Sequence, residues 1–219
     1  MRPCVVILDC DGTLVDSQRH IAAVFNDTIT SFGYDPLAPE TIYRVIGLSL
    51  GEALDRLLPD CPEPRRLGLI SAYRARYALD VAGKSPLYDG VREFLDNLHR
   101  EGRRTAMATG KSRAGALRVV AEHDLLRYFP IIKTGDLCRP KPDPDMILQI
   151  LDELGLSPDR AIMVGDTTFD IEMANTAGVR AVGVTCGAHR SDELARAGAD
   201  LIISSVPELA PHLSTLLPA

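Results

Sequence analysis

Short apolar runs alternate with amphipathic stretches along most of the chain. The runs at residues 4–8, 105–108, 131–133, 161–164, 181–185 and 201–203 predict strands. Between them, apolar residues recur in three- and four-residue steps: Val91, Phe94, Leu95, Leu98; Ile147, Ile150, Leu151, Leu154; Val206, Leu209, Leu213, Leu216. Each stripe predicts a helix that buries one face. Strands alternating with helices predict an α/β fold, a three-layer parallel sheet covered on both sides. From residue 17 to 85 the rhythm lapses. No run there reads as a strand, and loops are expected at 35–39 and 59–64. Leu67, Ile70, Tyr73, Tyr77 and Val81 mark the last helix of this block. Residues 17–85 are therefore expected to form an inserted all-helical domain, with 1–16 and 86–219 as the core.

Composition narrows the partners. A length of 219 residues suits one core plus a modest insertion. Net charge is −6, from 24 basic and 30 acidic residues, whereas a phosphate-backbone binder carries a basic surplus. Trp is absent and aromatics make up 5%, which leaves little for base stacking. Nucleic acid is disfavoured as the main partner. No apolar run approaches the ~18 residues of a membrane span, and the first is too short for a signal peptide. Cys4, Cys10, Cys61, Cys138 and Cys186 form no C-x-x-C pair. They read as reduced, mostly buried thiols in the cytoplasm.

Carboxylates gather at two predicted strand ends. The first strand runs into Asp9-Cys10-Asp11-Gly12-Thr13, where alternation sends Asp9 and Asp11 to one side. Such a pair could bind a metal or act as nucleophile and acid–base partner. A plain strand end with a turn fits a lone D-x-D-G equally well. The fourth strand ends in Gly165-Asp166, with Asp170 four residues on. A helix starting near Thr168 would let the two acids converge, although helix capping alone also explains an acid there. Four carboxylates at neighbouring strand ends repel unless a cation sits among them. All-oxygen ligands favour Mg²⁺ over zinc. Thr109-Gly110 at another strand end, before a helix, makes a phosphate seat. Lys141, between Pro140 and Pro142, is either a solvated loop lysine or a fixed cation facing the acids.

Two decoys fall away. Gly110-Lys111-Ser112 ends like a nucleotide-binding P-loop, but Thr105 stands where its first glycine belongs. Gly47-Leu48-Ser49-Leu50-Gly51 matches a hydrolase nucleophile elbow yet follows a helical stretch, so it reads as a loop of the insertion. The histidines (20, 99, 123, 189 and 212) lack metal-ligand spacing and are expected on the surface or at helix ends.

The four segments, in this order and with this insertion, resemble the haloacid dehalogenase-like superfamily, in its phosphoglycolate phosphatase-like branch with a helical cap. The likeness runs from residue 9 to 178. It implies a Rossmann-like core and an Asp9 nucleophile that accepts a phosphoryl group. Asp11 would be the general acid and base, with Thr109, Gly110 and Lys141 at the phosphate. Mg²⁺ would be held by Asp9, the main-chain carbonyl of Asp11, and Asp166, with Asp170 in support. Dehalogenases of the superfamily carry Tyr where Asp11 stands, so carbon–halogen cleavage is disfavoured. The reading is a phosphatase for a small phosphorylated metabolite, best matched by phosphoglycolate, in a monomer or homodimer. Pyrophosphate, nucleotide and sugar-phosphate activities of the same superfamily are alternatives. A phospho-Asp signalling receiver is disfavoured, because its acid lies on a central strand of an uncapped domain.

Overall fold

A strand covered on both faces must be apolar at every position, and Val5–Leu8 is fully buried throughout. Val6 and Leu8 pack with Leu95, Val119 and Leu209 on one side of the sheet. Val5 and Ile7 pack with Ile147, Met173 and Leu194 on the other. The computed structural model describes residues 4–79 and 85–217. Its strands are β1 (Val5–Leu8), β2 (Arg104–Thr109), β3 (Ile131–Thr134), β4 (Ala161–Gly165), β5 (Arg180–Val184) and β6 (Leu201–Ile203). They form one parallel sheet in the order β3-β2-β1-β4-β5-β6. Every predicted run lies on one of these strands, to within one residue at either end.

The chain first steps outward from β1 to β2 and β3, then returns to β4 and steps the other way. The reversal falls between β1 and β4, and in open α/β sheets ligands bind at such a point, beyond the strands' carboxyl ends. Helices α5 (Val91–Arg100) and α6 (Arg113–Glu122) cover one face. Helices α7 (Asp145–Leu154), α8 (Thr168–Ala177) and α9 (Ser191–Arg196) cover the other. This is the expected Rossmann-like architecture.

Between β1 and α5 the described residues form four helices: α1 (Gln18–Ser31), α2 (Pro39–Tyr43), α3 (Leu50–Leu57) and α4 (Glu63–Leu79). They enclose a separate apolar cluster of Ala22, Phe25, Ile29, Ile42, Leu54 and Leu69. The two chain crossings to this block run side by side. Val15 bridges Leu87, the Asp16 N–H donates to Pro86 O at 2.8 Å, and the Tyr88 N–H donates to Leu14 O at 3.0 Å.

Several local expectations change. Leu67 is 59% exposed, and Leu69 faces inward in its place. Val81 lies outside the described residues. The elbow-like segment is a loop only as far as Ser49, because Ser49 and Glu52 form a capping box that starts α3. The stripe from Val206 to Leu216 is not one α-helix. Residues Val206–His212 are a 3₁₀ segment, and only α10 (Leu213–Leu216) is α-helical. Pro207 and Pro211 lack the amide hydrogens that a continuous helix needs. Cys4 and Cys10 are buried, while Cys61, Cys138 and Cys186 are half-buried, and all five thiols are free. Among the described residues no helix is long and apolar enough to cross a membrane.

Candidate active site

Asp9 follows the last residue of β1, and its amide still donates to Val164 O at 3.0 Å, so the sheet fixes it. It is 1% exposed. Lys141 Nζ sits 2.8 Å from Asp9 Oδ1 and 2.6 Å from Asp170 Oδ1, with no exposure of its own. The solvated-lysine reading of Lys141 is thereby overturned. Asp170 Oδ2 accepts from the Thr167 amide at 3.1 Å and the Thr167 hydroxyl at 2.7 Å. Asp170 thus caps α8 and pairs with Lys141 at the same time, and capping and site chemistry are not alternatives here. Asp166 accepts from Thr13 Oγ1 at 2.9 Å and from the Ala188 amide at 2.7 Å.

Asp9, Asp166 and Asp170 bring carboxylate oxygens within 4.8 Å of one another. Burial, with Asp170 and Asp11 adding to it against Lys141, pushes the Asp9 carboxyl up to about 7. Burial and then Asp9 and Asp170 hold Asp166 well above the ordinary carboxylate value. For Lys141, burial works against the charge, but Asp170 and Asp9 outweigh it and keep the ammonium protonated. Three carboxylates against this one ammonium leave two formal negative charges. Asp9 Oδ2 is buried and accepts no hydrogen bond among the described residues. An oxygen-only donor set with an unsatisfied buried oxygen fits a hard divalent cation.

Asp11 keeps different company. Its carboxylate lies outside the three-acid cluster and is held by Ser17 Oγ at 2.5 Å and Lys111 Nζ at 2.9 Å. The turn that carries it there needs Gly12, whose φ is +74° and whose place a Cβ could not share with Asp166 Oδ2, 2.2 Å away. Asp9 and Asp11 nonetheless line one cavity of about 390 Å³, while Cys10 between them is buried in the core. Thr109 ends β2 and lines the same cavity with Gly110. The roof is the loop before α3: a Cβ on Gly110 would stand 2.4 Å from Gly47 O and 2.5 Å from Leu48 O.

Sequence reasoning missed Lys111, which packs 4.7 Å over the Tyr77 ring and donates to Tyr77 Oη at 3.2 Å. A signal existed. Lysine favours helix C-termini, and a lysine just ahead of the Ser112 cap of α6 needs a negative partner. Two histidines lie at helix starts, as expected, but are buried: His20 in the first turn of α1 and His189 just ahead of the α9 cap are each 6% exposed. His20 stacks on Tyr77 at 4.7 Å, and His189 Nδ1 accepts from the Thr168 amide at 3.0 Å.

Known proteins bear on this geometry. The family model for haloacid dehalogenase-like hydrolases matches residues 6–184. The chain is 34% identical to "Probable phosphatase IndB" of Dickeya dadantii, over 99% of this chain and 96% of that one. It is 32% identical to phosphoglycolate phosphatase 1 of Pseudomonas aeruginosa, over 95% and 79% of the two lengths. The crystal structure of a hydrolase from Pseudomonas syringae superposes with a TM-score of 0.88 at 27% identity, covering 97% of this chain and 98% of that one.

Proposed function

Since the chain belongs to the haloacid dehalogenase-like hydrolase family, we propose that it hydrolyses a small phosphate monoester, with Mg²⁺ as cofactor and a phosphoryl group carried on Asp9. The observation that supports this most is the division of labour between two carboxylates on one cavity. Asp9 has an oxygen with no donor, while Asp11 is held by Ser17 and Lys111 away from the acid cluster. Asp9 Oδ2 attacks phosphorus, and the bond from phosphorus to the leaving oxygen breaks as Asp11 delivers its proton there. Asp11 then takes a proton from water, whose oxygen displaces the Asp9 carboxylate and releases inorganic phosphate. Thr109, Gly110 and Lys141 receive the phosphate oxygens.

Asp9, the main-chain carbonyl of Asp11, and Asp166 would hold Mg²⁺, with Asp170 tying Lys141 and Thr167 to that array. The ion supplies the positive charge that lets a phosphate dianion approach these acids. We place residues 17–85 as the cap and the protein in the cytoplasm, as a monomer or homodimer. Phosphoglycolate, named in several relatives, is the first ester to assay. Phosphate release with Mg²⁺, its loss in excess EDTA, and intact-mass detection of one phosphoryl group at Asp9 test the reading. Full turnover without metal, or by Asp9→Asn, would reject it.

A further inference from the structure

Within that phosphatase reading, we infer that the substrate is an elongated phosphomonoester with an apolar body and a second anionic group at its far end, which Arg74 and Arg118 receive. The cavity beyond Asp9 and Asp11 extends between the cap and α6. Its wall there is apolar, with Phe25, Val45, Ile46, Leu48 and Ile70 all contributing. At about 390 Å³ it falls in the range of pockets that enclose ligands much larger than a phosphate on two carbons. A polar two-carbon acid would leave most of that wall facing water.

The cations of the cavity divide into two kinds. Lys111 is consumed by Asp11 and Tyr77. Arg74 on α4 and Arg118 on α6 line the cavity, yet neither has an ion pair or hydrogen bond among the described residues. Many other arginines here are matched with an acid, including Arg44, Arg66, Arg103, Arg127 and Arg180. The remaining wall acid, Asp136, is turned to the Arg113 amide at 2.9 Å and the Thr134 hydroxyl at 2.8 Å. Arg118 stands six residues into the helix capped by Ser112, about 9 Å along its axis from the phosphate end. Two guanidinium groups on the wall of one cavity suit a carboxylate or second phosphate, which arginine binds through paired hydrogen bonds. The distance between the two anionic ends is what the apolar span fills.

The test compares kcat/KM on four esters: phosphoglycolate, 6-phosphooxyhexanoate, n-hexyl phosphate and p-nitrophenyl phosphate. The wild type should prefer 6-phosphooxyhexanoate to both phosphoglycolate and hexyl phosphate by about 10-fold or more. Arg118→Met and Arg74→Met should erase the preference of hexanoate over hexyl, chiefly through KM, and Arg118→Lys should restore part of it. Phosphoglycolate as the best substrate would overturn the inference while leaving the phosphatase reading intact. So would a hexanoate-to-hexyl ratio that neither methionine variant changes. No turnover of any ester, p-nitrophenyl phosphate included, would overturn both.

Discussion

Asp9 and Asp11 are two positions apart, yet one is tied to Lys141 and the other to Lys111. Their separate partners predict separate losses. With Asp11→Asn, a nitrophenolate leaves without a proton, so Asp9 is still phosphorylated, but water attack lacks its base and slows by about 10²–10⁴-fold. Rapid-quench kinetics should show a burst of nitrophenol followed by accumulated phosphoenzyme. A slow variant with no burst would remove the split role. Gly110→Ala tests contact rather than chemistry. Its methyl group would meet the carbonyl oxygens of Gly47 and Leu48 and lift the cap loop. Displacing a closing element by about 1 Å can cost 10²-fold, so kcat/KM should fall on that scale while the far-UV spectrum is unchanged. At this scale the acids were legible because Asp9 and Asp166 directly follow strand ends and Asp11 and Asp170 lie within the next few residues. Lys111 was not, since its partners lie 100 residues back at Asp11 and 34 residues back at Tyr77.

Elements were legible wherever one face was buried and the backbone was free to follow the pattern. The stripes Phe94–Leu98 and Ile147–Leu151 fall on α5 and α7 because no proline interrupts them. The last stripe has the same spacing, but Pro207 and Pro211 convert its first part to 3₁₀ geometry. In α4 the expected stripe holds at Ile70, Tyr73 and Tyr77, but its first residue is exposed and Leu69 is buried instead of Leu67, since this helix is flanked by partners that its own sequence does not specify. The start of α8 carries a pH effect. Burial holds His189, which accepts from the Thr168 amide, below its ordinary pKa of 6.5. The unfolded chain then binds that proton more readily, so this contribution is full above pH 6.5 and is lost as pH falls below it. Urea midpoints should drop more for the wild type than for His189→Asn between about pH 7.5 and about pH 5.5. Equal drops would place the acid sensitivity elsewhere.

For the molecule as a whole, several contacts hold the inserted helices against the core. Among them are the Lys111–Tyr77 stack, the Arg44–Glu193 pair at 2.5 and 2.8 Å, and Phe169, which packs with Val45, Leu48 and Ala53 and lies 5.0 Å under Arg56. The sequence revealed that an insertion exists, because helical pattern replaces strand pattern. It did not reveal where the insertion docks, because docking depends on residues far apart in the chain, 34 positions for Lys111 and Tyr77 and 149 for Arg44 and Glu193. Metal should register at this scale too. A ligand that binds only the folded state adds about 2.7 kcal/mol at 100 times its dissociation constant. Mg²⁺ should therefore raise the melting temperature of the wild type, and the rise should vanish in Asp166→Asn. An equal rise in both proteins would mean that the ion binds elsewhere.

The paired crossings at Val15 and Leu87 have one more consequence. The insertion leaves and re-enters the core at points one hydrogen bond apart, so the core is closed at its root whatever lies beyond. Loop-closure cost grows only slowly with length. The ribbon between Leu14 and Tyr88 therefore acts as a socket. Another cassette of helices on the same socket would leave the sheet hydrogen bonds and Asp9 in place, so a lineage could change its diet while keeping its nucleophile.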